Sequence, residues 1–541
     1  MSEFAITVPL KKWLSLLLCF SILMGFVQLS MAAEFTLTEA WKTLSSKSYK
    51  NKARAIETIA QHNPDEAYRA LKAMLDGQLY FAKHSKALYI LQQSDDNYIF
   101  SALFSDEVIT QERKRGFKKA RINNRLRRLI RQSLAVMQLK NRDPDVRLAA
   151  VQELLKNPEA DATRLIESMI DKETDHKVLA AMHTLRAVNQ LKQGDEAAQM
   201  KALNALAGSL NTSVMNALSN YQAPNEILKK KVQLAIDKIN AKRNLYAKAE
   251  TVFFGLSLGS VLALSAIGLA ITFGVMGVIN MAHGELMMIG AYTTYVTQLL
   301  MPDHIALSIV VAIPAAFIVS GLVGIAIERS VIRHLYGRPL ETLLATFGVS
   351  LILQQAVRSI FSPLNRSVET PQWMSGAWQI NDVLALTWNR FYIIIFCLAV
   401  FIALILVMKK TRLGLQVRAV SQNRRMARAM GVRSEWVDAL TFGLGSGIAG
   451  LAGVALSLLT NVGPNLGQAY IIDSFMVVVF GGVGNLWGTL VAGMSLGVIN
   501  KVLEPWAGAV LAKIIVLIFI ILFIQKRPRG LFPQRGRAAE D

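Results

Sequence analysis

Two stretches interrupt otherwise apolar sequence with glycine and with side chains that can hydrogen-bond. Phe273 to Glu285 carries Gly274, Gly277 and Gly284 beside Asn280, His283 and Glu285, and Phe480 to Asn485 carries Gly481, Gly482 and Gly484 beside Asn485. Amide, imidazole and carboxylate groups in such a setting offer donors and acceptors to a polar solute. They do not form a catalytic or metal-binding pattern: no HExxH or HxxxH spacing occurs around any histidine. A broken helix leaves backbone groups that lipid cannot satisfy, so breaks persist only against protein or a water-filled cavity. His283, Glu285 and, further along, Asp473 are costly at membrane depth, which marks such residues as candidates for a solute pathway. Asn280, His283, Glu285, Gly482, Gly484 and Asn485 are the candidate pathway residues. The same glycines equally suit close helix packing, and helix N-termini, where the dipole favours a carboxylate, are the preferred setting for Glu285 and Asp473.

A different chemistry is available at Lys409 to Arg433, which holds eight Lys or Arg and no acid between two apolar segments. Read as one helix from Gln416 to Met430, it sets Val417, Val420, Ala427 and Met430 on one stripe. Arg418, Gln422, Arg425 and Arg428 fall on the other. One face suits membrane helices, the other an aqueous partner. The charge marks this loop as cytoplasmic, and charge alone favours a plain topology marker.

The spacing of Arg418-Ala419, Asn423, Ala427 and Gly431, RAxxxNxxxAxxxG, resembles the cytoplasmic loop of ABC-importer permeases of the branched-chain amino-acid and urea family. The resemblance continues at Asn280 to Glu285 (NMAHGE), at Phe480 to Asn485 (FGGVGN) and at Arg527 to Phe532 (RPRGLF), covering about residues 251 to 533. It implies that the loop docks into a cleft on a cytoplasmic ATPase, with Arg418, Asn423, Ala427 and Gly431 as coupling positions. It also implies a second homologous permease subunit and a periplasmic substrate-binding protein. The long segment before the common core resembles the urea-type permeases, which implies urea as cargo. Branched-chain amino acids or short amides are the alternative under the same mechanism. Urea presents N–H donors and a carbonyl, and Asn280, His283, Asn485 and Thr489 have matching chemistry. The chain contains no GxxxxGK[ST] and no Gly-Lys pair, so it has no phosphate cradle of its own. No cofactor is expected in this chain, because ATP would be bound by partner subunits, and no enzymatic activity is expected of it.

The elements that must position these residues follow from an uneven distribution of apolar sequence. The 541 residues are 52% hydrophobic with a net charge of +21. Apolar passes are expected at about 251–273, 286–300, 305–327, 342–361, 391–408, 435–459, 470–482, 486–500 and 509–525, eight or nine in all. Small residues four apart, Gly443, Gly447, Ser446, Gly450 and Gly453, read as helix packing. Arg329, Arg333 and Arg338, the 409–433 loop and the tail from Lys526 carry the basic excess, which assigns them to the cytoplasm. That excess is a topology signal, and no groove-reading motif points to nucleic acid.

Before the membrane region, Lys11-Lys12, an apolar run and Ser30-Met31-Ala32 read as a signal peptide over 1–32, with an uncleaved anchor as the alternative. Residues 33–225 read as an exported helical domain, and 226–250 as a helical linker. Leu148-Ala149-Ala150-Val151 is echoed 31 residues later by Leu179-Ala180-Ala181-Met182, and Asp143-Pro144 suits a helix start. Stacked HEAT-like helix pairs would bury such a pattern, as would an irregular helical domain. Cys19 and Cys397 are the only cysteines, so the exported domain has no disulfide to draw on. The expected fold is therefore all-α: a polytopic α-helical permease over 251–525, preceded by an exported helical domain and followed by a cytoplasmic tail at 526–541. It would lie in a bacterial inner membrane in contact with lipid. A membrane-anchored sensor is the rival from another class.

Overall fold

The computed structural model describes residues 36–62, 64–94, 97–105, 107–111, 116–158 and 160–533. The expected signal peptide, Cys19 and the tail beyond 533 lie outside the described residues. Two compact units divide between Ile239 and Asn240, inside the expected linker.

The first unit opens with α1 (Leu37–Thr43), α2 (Tyr49–His62) and α3 (Pro64–Leu75). Thr36 and Glu39 cap α1 reciprocally, each side chain accepting from the other's backbone N–H. Five strands follow: β1 (Leu79–Ala82), β2 (Leu88–Ser94), β3 (Asn97–Ala102), β4 (Val108–Gln111) and β5 (Phe117–Lys119). They form an antiparallel sheet in the order β4-β3-β2-β1-β5, which corrects the all-α expectation. The reason is physical. Leu79, Phe81 and Leu88 pack with Ile56, Leu71 and Met74 of the helices, while Tyr80, Tyr89, Leu91, Phe100 and Phe117 form a separate cluster. Strands apolar on both faces show no two-residue alternation, so their sequence does not announce them.

Helices α4 (Asn124–Gln138), α5 (Pro144–Lys156), α6 (Ala160–Ile170), α7 (His176–Gln193), α8 (Glu196–Leu206) and α9 (Thr212–Ser219) complete the unit. The two echoed segments lie in α5 and α7, capped by Asp143 and Asp175. Val151, Leu154, Met182 and Leu185 share one core. Arg147 donates to both carboxylate oxygens of Glu173, at 2.8 and 2.7 Å. That guanidinium holds the Glu173 carboxyl down at about 2.

The second unit contains the end of the 51-residue α10 (Glu226–Met276), then α11 (His283–Leu300), α12 (Ile305–Ser330) and α13 (Pro339–Phe361). After a small hairpin of β6 (Ala377–Gln379) and β7 (Ala385–Thr387) come α14 (Trp388–Lys410), α15 (Arg412–Gln422), α16 (Arg424–Ala429), α17 (Ser434–Ser457), α18 (Leu466–Gly481) and α19 (Leu486–Lys526). Helix α17 is the axis of the core, with nearly its whole length buried. Its small residues let backbones approach closely. A Cβ at Gly445 would fall 2.6 Å from the carbonyl of Gly268 on α10, and one at Gly453 would overlap Met287 of α11.

Among the described residues, six helices are long and apolar enough to cross a membrane: α10, α12 with its leading 3-10 turn, α13, α14, α17 and α19. The nine apolar segments of the sequence map onto these and onto two further helices, the 18-residue α11 and the 16-residue α18. The segments expected at 486–500 and 509–525 are joined within α19 across a kink at Gly508 (φ 75°, ψ 161°), just after Pro505. A straight helix of that length would separate its ends by about 60 Å. Instead, the Asn485 amide at one end donates to the Phe532 carbonyl beyond the other at 3.1 Å. The two halves therefore double back as a helical hairpin.

Candidate functional site

Helix α10 ends at Met276, and Gly277 (φ +65°) turns the chain back along the helix it has just left. The return brings the ring of His283 beside Ser265, 18 residues earlier, where Nε2 donates to the Ser265 carbonyl at 2.9 Å. A carbonyl only accepts, so the proton is on Nε2 and Nδ1 is an acceptor. Helix α11 thus starts deep within the bundle, with Asn280, His283 and Glu285 no more than 1% exposed. Glu285 lies in the first turn of α11, where the dipole favours it. Its Oε1 accepts from Ser350 Oγ at 3.1 Å and Gln354 Nε2 at 2.8 Å, both from α13. Thr346, one turn earlier on α13, accepts from the Met281 backbone N–H at 3.1 Å. On the other side the Ser265 hydroxyl meets that of Ser474 on α18.

Thr342, Thr346, Ser350 and Gln354 repeat every four residues and are all buried, forming a polar stripe on a helix whose other face exposes Leu340, Leu344 and Ile352. These four residues were not among the candidates expected from the sequence. Their signal was present, since polar residues four apart in an apolar helix share a face. Among the described residues, three atoms of the cluster have no hydrogen-bond partner: Asn280 Nδ2, His283 Nδ1 and Glu285 Oε2. They are one donor and two acceptors, in surroundings where unpaired polar groups are expensive.

The second glycine-rich break is a joint between backbones. Gly482 (φ +103°) ends α18, and a Cβ there would fall 2.7 Å from the Phe532 carbonyl. The backbone N–H groups of Leu531 and Phe532 donate to the carbonyls of Phe480 and Gly481, so FGGVGN and RPRGLF are seated on each other. Gly484 also lies against Gly274 of α10, which brings the two breaks into contact there. Asn485 caps α19, its Oδ1 accepting from Gly488 N–H at 3.1 Å. The Thr489 hydroxyl is used within its own helix, on the Asn485 carbonyl. Asp473 is not at a helix N-terminus, contrary to the sequence reading. It lies within α18 and pairs with Lys513 at 2.8 Å.

The basic loop is two helices rather than the single one expected from Gln416 to Met430. Asn423 (φ −153°) is extended, closing α15 and capping α16 by accepting from Met426 N–H at 2.9 Å. Gly431 (φ +85°) ends α16: its N–H donates to the Arg428 carbonyl, and Val432 N–H to the Ala427 carbonyl. This is the Schellman arrangement, which needs a left-handed residue at that position. Val417, Val420 and Ala427 are buried against Val437, but Met430 is 79% exposed, off the stripe assigned to it. Arg424 anchors the pair by donating to both oxygens of Asp438, at 2.6 and 3.0 Å, and lies over the Tyr336 ring at 5.2 Å. Arg428 Nε donates to Ser434 Oγ at 2.6 Å, and Arg418 to the Met408 carbonyl. Leu415, Arg425, Met426 and Met430 face outward. Arg329 of α12 stacks on Trp436 at 4.5 Å, and Val275 of α10 joins the core beneath α15 and α16. The basic loops after α12 and α14 are therefore gathered at one end of the unit.

The family described as "Branched-chain amino acid transport system / permease component" matches residues 251–524. The high-affinity branched-chain amino acid transport system permease protein BraD of Pseudomonas aeruginosa is 30% identical over 296 residues, 53% of this chain and 96% of BraD. The corresponding protein LivH of Salmonella typhimurium is 30% identical over 292 residues, 52% of this chain and 94% of LivH. The ribose import permease protein RbsC of Escherichia coli is 24% identical over 253 residues, 45% of this chain and 74% of RbsC. No solved structure matches the chain.

Proposed function

This chain belongs to the branched-chain amino acid transport system permease family, and on that premise we propose that it is the urea-translocating permease subunit of an ATP-driven importer. One observation carries the coupling role. Helices α15 and α16 are sealed on one face and fastened by Arg424 to Asp438, while Leu415, Arg425, Met426 and Met430 stand outward, exposed. An exposed surface of methionine, leucine and arginine fits docking to another protein. Under this reading the partner is a cytoplasmic ATPase, with Arg418, Asn423, Ala427 and Gly431 shaping the docked element.

The basic loops share one end, which supports a cytoplasmic C-terminal end and an exported first unit. The apolar outer face of α13 fits lipid or a second permease subunit. A periplasmic binding protein would deliver the solute, and the chain would cross a bacterial inner membrane several times. The pathway would border the α10–α11 break, where Asn280, His283 and Glu285 retain one donor and two acceptors, and the joint at Gly482, Gly484 and Asn485.

Urea is preferred because the groups directly around Glu285 are neutral, from Ser350 and Gln354, and the nearby Arg358 is engaged by Asn465 at 2.7 Å. A neutral amide needs no cation to meet a carboxylate. A second reading, branched-chain amino acids as cargo, is favoured by the names of BraD and LivH. Uptake of radiolabelled urea and of leucine into proteoliposomes holding the assembled importer separates the two. ATP-dependent urea accumulation that excess leucine does not compete supports urea, whereas leucine accumulation without urea accumulation transfers the cargo to amino acids.

A further inference from the structure

The first unit contains a concave pocket of about 700 Å³ whose charged lining, among the described residues, is entirely basic. Lys52 of α2 is at its floor, only 3% exposed, with Nζ donating to the Arg121 carbonyl at 2.8 Å. Lys83 and Lys86 come from the β1–β2 turn, Lys118 and Lys119 from β5, and Lys47 from the approach to α2. The 14-residue α2 begins at Tyr49 on the same wall, adding the positive end of its dipole. Among the described residues none of these cations is in an ion pair.

Such crowding works against the fold unless something offsets it. Like charges around one hollow repel, and an ammonium withdrawn from water loses hydration that one carbonyl only partly replaces. An ammonium has three N–H donors, and Lys52 uses one of them on Arg121. Burial accordingly lowers the Lys52 pKa. Ordinary surfaces intersperse acids with bases, and the described charged side chains lining this pocket include no acid. Its volume is that of a small-molecule site and not of a flat docking face.

We propose that this pocket binds a small anion carrying two or more phosphate groups, with Lys52 at its base and Lys83, Lys86, Lys118, Lys119 and Arg121 around its rim. Phosphate is the favoured chemistry because all but one of the cations are lysines. Lysine meets phosphate as a point charge, whereas planar carboxylates are best matched by paired arginine forks. The lining residues lie outside residues 251–524, which the permease family matches.

The test uses the full chain in nanodiscs of neutral lipid at about 0.15 M salt, where long-range attraction is largely screened. Inorganic tripolyphosphate is titrated by calorimetry, beside citrate and beside vesicles of phosphatidylglycerol. The expected result is saturable tripolyphosphate binding at least tenfold tighter than citrate. It should weaken at least tenfold both in Lys52→Gln and in the exposed double variant Lys83→Gln/Lys118→Gln. The exposed pair keeps the test decisive if Lys52→Gln fails to fold. Binding no tighter than citrate, binding indifferent to the exposed double variant, or binding to anionic vesicles alone would overturn the proposal.

Discussion

At Glu285 the two oxygens of one carboxylate have unequal surroundings, and this inequality makes the residue testable. Oε1 is held by Ser350 and Gln354, whereas Oε2 has no partner among the described residues. Glu285→Ala strips two buried donors of their acceptor and should lower stability by about 1–3 kcal/mol. Glu285→Gln keeps an acceptor at Oε1 and should unfold within a few degrees of the parent, yet slow solute uptake by the assembled importer at least tenfold. Equal uptake in that variant would make the carboxylate purely structural. Glu173 gives a pH-dependent prediction in the other unit. Its carboxyl is held at about 2, so the unfolded chain takes up the proton first as pH falls. The stability it contributes is complete above about pH 4.5 and disappears as pH approaches 2. Thermal unfolding followed from pH 6 to pH 3 should show a shallower acid decline in Glu173→Gln than in the parent. The sequence exposed the polar residues of the break but not their partners, because Ser265, Ser350 and Gln354 are joined to them only by tertiary packing.

The helix pair α15–α16 is specified by three local devices: a cap at Asn423, a left-handed stop at Gly431 and an anchor from Arg424 to Asp438. Asn423→Ala should cost about 1 kcal/mol and favour fusion of the two helices. Arg424→Met leaves a buried carboxylate unpaired, so it should loosen the whole element and lower coupling at least tenfold. Changing Asp438→Asn in the same chain should restore part of the stability, which unfolding and ATPase assays would register together. The buried positions Val417, Val420 and Ala427 were legible from helical spacing. The break at Asn423 was not, because an Asn in a helical pattern reads as tolerable until its side chain is seen capping the next turn. Arg424 likewise looked like one more topology charge, since its partner lies on α17. The strands escaped notice for other reasons: β1 and β2 bury apolar side chains on both faces and so lack an alternating pattern, while β4 and β5 are only four and three residues long.

Across the whole molecule, composition separates an N-terminal region from an apolar bundle, and the structure divides into two units between Ile239 and Asn240; glycine spacing pointed to α17 as a packing helix. The fold-back at α19 was less accessible, because Pro505 and Gly508 read equally as a kink or as the gap between two passes. Sidedness is the next prediction: reporters fused near residue 200 and after the last residue should report opposite sides of the membrane. Reporters on the same side would contradict the exported first unit. The central claim is that α15 and α16 transmit the energy of a separate ATPase. It is tested most directly by placing a single cysteine at Met426, after replacing Cys397 and any other retained cysteine, and following cross-linking to a cysteine in the ATPase cleft during ATP-driven uptake. The account predicts efficient cross-linking at Met426, much less at the buried Val420, and uptake abolished once the bond forms and restored on reduction. Absence of a Met426 cross-link in an importer that still accumulates solute would contradict it.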